Sequence, residues 1–186
     1  MNPVERLKSR ISSELHKPST VGVCHRYIDS PVGKLLVIST PYGISRVSFE
    51  TEDQQGILST AECASGGYLE NQKFLDIFEE QIGQYFNQER GCLSVPVDVH
   101  MTSFAHEVLD RLREITYGRT LSYGEFAAVL GHPSAARAVG SACASNPVPM
   151  ILPCHRVIRS DGSFGEYIGG VEAKKYLLDF EHSACR

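Results

Sequence analysis

At 186 residues, with 42% hydrophobic and 22% charged positions, the chain is long enough to bury a real core in one compact unit or two small domains. No stretch approaches the ~18 apolar residues of a membrane helix, and the polar start MNPVERLKSRISSELHKP lacks the apolar block of a secretory signal, so the expectation is a cytoplasmic protein with no membrane partner. The net charge of −4 argues against nucleic acid only in sum: residues 1–100 carry 9 basic and 13 acidic groups, whereas 111–160 carry six arginines against Glu114 and Glu125, and local sign governs a binding face.

Residues 1–21 read as a flexible, marginally helical lead-in. Across 22–50, β-branched and aromatic runs broken by Ser-Pro-Val-Gly and Pro-Tyr-Gly turn signals predict an antiparallel meander of about three strands. The polar, Gly/Ser-rich stretch 51–70 reads as a loop or irregular insertion. Over 71–87, Phe74, Ile77, Phe78, Ile82, Tyr85 and Phe86 fall on one helical face. Residues 90–102 look extended, and the change from strands to helices near 100 divides an N-terminal domain, 22–99, from a C-terminal domain, 100–186. The fold class expected is α+β: an antiparallel sheet with a helix, followed by a mainly helical domain.

From 103 the chain turns helical. Ser103 is a candidate cap for a helix with Phe104, Val108, Leu109, Leu112 and Ile115 on its apolar face. Ser122 caps a short helix from Tyr123 to Leu130, with Glu125 at the capping-box position. Gly131-His132-Pro133 breaks it, and Ser134 starts a third helix, Ala135 to Ala144, that carries Arg137. A short helix, a Gly turn and a second small-residue helix spell a helix-turn-helix. Ala135, Ala136, Ala138 and Gly140 leave the second of these thin enough to approach a nucleic-acid backbone, although the same composition also serves close helix–helix packing. The closing helix, 171–181, is expected to bury Val171, Tyr176, Leu177, Leu178 and Phe180.

Six cysteines stand at 24, 63, 92, 143, 154 and 185, with no Cys-x-x-Cys pair, which disfavours both a disulfide scaffold and the strongest zinc spelling. His16, Cys24, His25 and Cys63 leave a mixed metal site open; no metal and no cofactor is expected. The chemical interest lies at 146–158, Asn-Pro-Val-Pro-Met-Ile-Leu-Pro-Cys-His-Arg-Val-Ile, where an apolar run leads into Cys154-His155. A cysteine nucleophile works as thiolate and needs a base or a positive neighbour. His155 is the adjacent base, but neighbours in extended chain point opposite ways, so contact requires a bend or a bridging water. Glu181 is a candidate to hold the imidazole. Gly162, Gly165, Gly169 and Gly170 around Tyr167 permit close approach of a flat ligand on which Tyr167 could stack.

Asn146-Pro147-Val148-Pro149 followed by Pro153-Cys154-His155-Arg156-Val157-Ile158 resembles the active-site signature of the O6-alkylguanine-DNA alkyltransferases. The match runs without gaps from Ser122-Tyr123 through Ala135-Ala136-Arg137-Ala138-Val139-Gly140 to Tyr167, Gly169-Gly170, Lys174 and Glu181; the N-terminal half matches loosely, through Ser30-Pro31-Val32-Gly33-Lys34-Leu35 and 44–49. The resemblance implies irreversible, single-use transfer of the alkyl group of O6-alkylguanine, and less readily O4-methylthymine, from double-stranded DNA to Cys154. The helix-turn-helix would bind the minor groove, with Ser122, Ala135, Ala136 and Gly140 against the DNA, and the target base would be rotated out of the duplex. Arg137 would fill the gap it leaves. Tyr123 would press on the phosphate and protonate the departing guanine. His155, acting through water and held by Glu181, would take the thiol proton, and Asn146 would brace the turn. Tyr167, Val157, Ile168, Gly169, Gly170 and Pro149 would form the substrate pocket. A monomer able to cluster on DNA is implied, nucleoid-associated in a bacterium or nuclear in a eukaryote.

Departures from the family pattern are His106, Val108 and Leu109 where relatives carry Gln and Trp, Ile168 in place of a small pocket residue, and Cys143-Ala144-Ser145 where relatives are often more basic. Two other readings compete. A lesion-binding or regulatory DNA-binding protein would bind tightly without transfer; a thiol hydrolase with a Cys-His-Glu arrangement would turn over and ignore DNA.

Overall fold

A computed structural model describes residues 22–65 and 72–184. The expected lead-in, 1–21, and Cys185 lie outside them. Three strands, β1 (Cys24–Ile28), β2 (Leu35–Thr40) and β3 (Gly43–Ser48), form an antiparallel sheet in that order. The first turn closes through the Gly33 amide on the Ser30 carbonyl, 3.0 Å, with Gly33 at φ +95°, a conformation that L side chains rarely adopt.

The outer edge of β3 is not left open. Ile44 N–H donates to Pro96 O (2.8 Å) and Ile44 O accepts from Asp98 N–H (2.9 Å), so the extended stretch after 90 lies along this edge. Further along, Val47 N–H donates to Pro147 O, 2.8 Å. This bond carries the edge of the sheet into the segment that precedes Cys154. A capped edge also removes a template for pairing with other chains.

Residues 51–70 are not simply a loop: helix α1 (Gln54–Ala64) occupies most of the stretch. The Asp53 side chain caps it by accepting from Gly56 N–H at 3.0 Å. Gly56, Ser59 and Thr60 disguise its helical character, and Leu58, with Ile57 and Ala61, packs on Val23, Leu36 and Ile38 of one sheet face. Packing on that face overrides weak propensity. The other sheet face packs on α2 (Lys73–Phe86), whose Leu75, Phe78, Ile82 and Tyr85 are buried.

Helix α3 (Ser103–Arg111) is capped by Thr102, which accepts from Ala105 N–H, rather than by Ser103, and runs on into a 3-10 turn at Leu112–Glu114. Strand β4 (Leu121–Ser122) leads directly into α4 (Tyr123–Val129). There the Ser122–Glu125 capping box is complete: Ser122 N–H donates to Glu125 at 2.7 Å and Glu125 N–H to Ser122 Oγ at 3.2 Å. Helix α5 (Ala136–Ala144) has Ala135 at its N-cap with no side-chain cap, so Ser134 does not start it as expected. Two helices joined by a turn at Gly131 (φ +79°) give the expected helix-turn-helix geometry.

The last helix, α6 (Gly170–Ala184), buries Ala173, Lys174, Leu177 and Glu181. Val171 (50% exposed) and Tyr176 (39%) face outward, against the expectation. The inward stripe contains two charged residues that a purely apolar reading of the helix passes over. One apolar cluster runs from the sheet through α2, α3, α4 and α5 to α6. No described helix is long and apolar enough to cross a membrane.

Candidate functional site

The site begins with the chain between α5 and Cys154. Asn146 is fully buried, and its side chain is used at every polar atom. Oδ1 accepts from Val148 N–H (3.1 Å), while Nδ2 donates to Leu152 O (2.8 Å) and to Cys154 Sγ (3.1 Å). An amide side chain supplies one acceptor and two donors, so a single residue ties off the turn and meets the sulfur. Within the turn, Met150 sits at φ +70°.

Cys154–Arg156 form a single 3-10 turn, which does not bring a His155 nitrogen into hydrogen bond with the thiol, and after it Val157–Ile158 (β5) pairs in parallel with Leu121–Ser122. This short pairing, not foreseen from the residues, ties the exit of the cysteine turn to the entry of α4, where Tyr123 stands. Cys154 is 2% exposed and His155 1%.

Glu181 arrives from α6 as a buried hub. Its carboxylate accepts from His155 Nε2 (2.9 Å), Tyr85 Oη (2.8 Å), Gly118 N–H (3.0 Å) and Arg156, whose Nε and Nη2 lie 3.0 and 2.9 Å from its two oxygens. Burial would raise the Glu181 carboxyl, but His155 and Arg156 outweigh it and hold the group at about 2. Burial depresses His155 despite Glu181, so the imidazole is neutral at pH 7 and the cation facing Glu181 is Arg156. The ionised carboxylate only accepts; the proton of the neutral ring therefore sits on Nε2, leaving Nδ1 with a free lone pair. Nδ1 is buried and has no hydrogen-bond partner.

Burial pushes the Cys154 thiol up to about 11, opposed by the Asn146 hydrogen bond and by the Lys174 cation. Lys174 is itself buried, donates to Val157 O at 2.6 Å, and lies 5.8 Å from the centre of the Tyr123 ring. Tyr123 is half-buried, and burial raises its phenol to about 12. At rest the site is therefore a neutral thiol, a neutral imidazole and a protonated phenol around one buried ammonium.

The remaining expected residues divide. Tyr167 meets Phe49 edge-on at 5.6 Å between ring centres and His155 at 6.4 Å. Ile168 is half-buried and Pro149 buried. Val157 contributes a carbonyl already engaged by Lys174. At Gly169 a Cβ would stand 2.7 Å from the Phe49 ring, so its smallness serves packing between the sheet and α6. Gly170 opens α6 at φ +84°. On α5, Arg137 is exposed, Ala136 and the N-cap Ala135 are half-buried, and Gly140 lies under the Tyr123 ring, where a Cβ would be 3.8 Å away.

Arg156, Lys174, Tyr85 and Phe49 were not assigned roles from the residues alone. Arg156 interrupts an otherwise apolar run, and Lys174 shares the Ala173, Leu177, Glu181 stripe; those placements were the available signals. Cys24 lies against Ser39 (3.0 Å) and His25 near Glu62 (4.0 Å). Among the described residues no three His, Cys, Asp or Glu side chains group as a metal cage.

Two family models match the chain. The DNA-binding domain of 6-O-methylguanine DNA methyltransferase matches residues 103–183, and the ribonuclease-like domain of the same family matches 23–99. A methylated-DNA–protein-cysteine methyltransferase of Haemophilus influenzae is 37% identical over 161 residues, covering 84% of this chain and 85% of its own. The human protein of that name is 33% identical, covering 83% and 78%. Among solved structures, Mycobacterium tuberculosis OGT in complex with DNA superposes with a TM-score of 0.74 at 34% identity, covering 86% of this chain and 93% of its own.

Proposed function

The chain belongs to the 6-O-methylguanine DNA methyltransferase family, and from that premise we propose that Cys154 is the alkyl acceptor in direct repair of O6-alkylguanine in DNA. The observation that carries this reading is the Cys154 sulfur, held by Asn146 at 3.1 Å in one turn with a neutral His155 that Glu181 orients. In the reaction the S–C bond forms as the C–O6 bond breaks, by in-line displacement. The thiol proton passes toward the free lone pair of His155 Nδ1. The guanine leaves as an anion or takes a proton from Tyr123, whose raised phenol remains a donor at neutral pH. The product is a thioether, and no group at the site offers a route to reverse it, so each molecule acts once.

A sulfur 2% exposed is out of reach of a base stacked in a duplex. The reading therefore includes an extrahelical base. The exposed Arg137 on the thin face of α5 is the residue placed to occupy the space left in the stack, and a helix-turn-helix that presses into the minor groove fits the small residues around it. Ser122, Ala135, Ala136 and Gly140 belong to this DNA face; Tyr167, Ile168, Pro149 and the Val157 carbonyl belong to the base pocket. We place the protein on double-stranded DNA as a monomer.

The test is the intact mass after incubation with an oligonucleotide duplex carrying O6-methylguanine. The expected result is a gain of one CH₂ per molecule, mapped to the Cys154 peptide and absent in Cys154→Ser. Tight lesion binding without mass gain, or repeated turnover, would overturn the reading.

A further inference from the structure

Two buried polar atoms at the site have no hydrogen-bond partner: His155 Nδ1 and the Tyr167 hydroxyl. Each would cost on the order of 1–3 kcal/mol if left unsatisfied, and buried groups of this kind are as a rule bridged by water. Their rings meet edge to face at 6.4 Å, and the Tyr167 phenol lies within electrostatic reach of Cys154. One ring is the proposed base. The other has been read only as a wall.

We propose that the Tyr167 hydroxyl is a positioning residue in the proton path: it anchors the water that carries the Cys154 proton to His155 Nδ1. The inference rests on the reading of Cys154 as acceptor and deepens it. The balance is simple. Cys154 S–H donates to the water oxygen, the water passes a proton to Nδ1, and the sulfur is left as thiolate beside an imidazolium that Glu181 stabilises. Tyr167 keeps its proton throughout, since burial holds the phenol in its neutral form. A phenol donor aimed at the water oxygen fixes where that water sits, and relay through one water is effective only when the water is held in line.

Several titratable groups face this point. Cys154 and Arg156 come from the turn, Tyr85 from α2, Glu52 from the chain before α1, and Glu181 and Lys174 from α6. Glu181 is ionised far below neutral pH, and burial keeps Tyr85 protonated. Glu52 is tied to Arg46 at 2.6 Å. Cys154, at about 11, is therefore the group whose ionisation removes the need for a relay as pH rises.

The experiment is single-turnover methyl transfer from an O6-methylguanine duplex as a function of pH, for the unmodified protein, Tyr167→Phe, His155→Ala and the double variant. Tyr167→Phe keeps the ring that packs on Phe49 and His155. Its rate is expected to fall roughly tenfold at pH 7 and to converge on the unmodified rate as pH approaches the thiol's own ionisation. In the His155→Ala background the same substitution should cost nothing further, because both act on one path. A Tyr167→Phe rate equal to the unmodified one, or reduced equally at every pH, overturns the inference while leaving the acceptor reading intact. Absence of transfer by the unmodified protein overturns both. Should Tyr167→Phe lose its fold, 3-fluorotyrosine at 167 keeps shape and hydroxyl while strengthening the donor: a pH 7 rate that rises supports the path, and an unchanged one refutes it.

Discussion

Arg156→Ala is the substitution whose consequence follows most directly from the geometry. The guanidinium is 3% exposed and makes four kinds of contact: both oxygens of Glu181, Ile115 O at 2.7 Å, Gly91 O at 2.9 Å, and the Tyr117 ring at 5.7 Å. Truncation leaves a buried carboxylate without its cation and two carbonyls without their donor. Removing one member of a buried ion pair costs about 3–5 kcal/mol. For a chain of this size that corresponds to a fall in Tm of about 10 °C. Acid behaviour supplies an independent check. Glu181 is depressed in the folded state, so its contribution is present above the unfolded carboxyl value, about 4.3, and is lost as pH falls through about 2. With Arg156 gone the folded value rises toward the unfolded one, and the stability curve of the variant should flatten between those limits. Urea denaturation at pH 7 and across the acid range measures both effects. A loss under about 1 kcal/mol at pH 7, with an acid slope like that of the unmodified protein, would show that Arg156 acts as a surface cation and that the buried hub is misdescribed.

Asn146→Ala strips the turn of three hydrogen bonds; we expect a loss of about 2–3 kcal/mol and a slower reaction of Cys154 with a small thiol reagent, because a contact favouring the thiolate is gone. Gly169→Ala drives a methyl group into the Phe49 ring and should cost about 1–3 kcal/mol, with Phe49→Leu restoring part of it in thermal melts. Ser122→Ala opens the capping box and should cost about 1 kcal/mol without altering the spectrum of the folded state. Arg137→Ala touches no core contact, so stability should stay within about 0.5 kcal/mol; transfer from duplex should fall at least tenfold while transfer from free O6-benzylguanine is unchanged, and equal losses on both substrates would remove Arg137 from the DNA face.

What could be read from the residues was whatever is written locally. The turn signals at Ser30–Gly33 and Pro41–Gly43 delimit the hairpins, and Ser122 with Glu125 marks the start of α4, because caps and turns are decided by neighbours in sequence. Cys154, His155, Asn146 and Glu181 are identifiable through a spaced signature, and the structure brings all four together. The misreadings are of another kind. Helix α1 forms because Leu58 meets Leu36 and Ile38, a long-range contact that Gly56 and Ser59 conceal. The β4–β5 pair is two residues long, too short for any periodicity. Tyr176 sits in an apolar-looking stretch yet faces out, while Lys174 turns in, because the Val157 carbonyl is there to receive it. The close approach of Gly169 to Phe49, 120 residues away by the numbering, is likewise a long-range contact that the local sequence does not display.

The resting chemistry of the site bears on selectivity. A thiol held at about 11 beside an uncharged imidazole is a poor nucleophile toward electrophiles in solution, and at 2% exposure few can reach it. On the proposed reading, in which Cys154 reacts only once, this protection spares it from electrophiles in solution. Reactivity then has to be created where the substrate is, and the connections of the fold suggest how. The turn holding Cys154 is bonded to the sheet through Val47 and Pro147, to α4 through the β4–β5 pair, and to α6 through Glu181 and Lys174. Tyr123 stands at the head of α4, with its hydroxyl close to Gly165 and its ring over Gly140 of α5. On the proposed reading, a nucleic acid that contacts α4 and α5 meets Tyr123, whose ring lies over Gly140 and whose phenol is within electrostatic reach of Cys154.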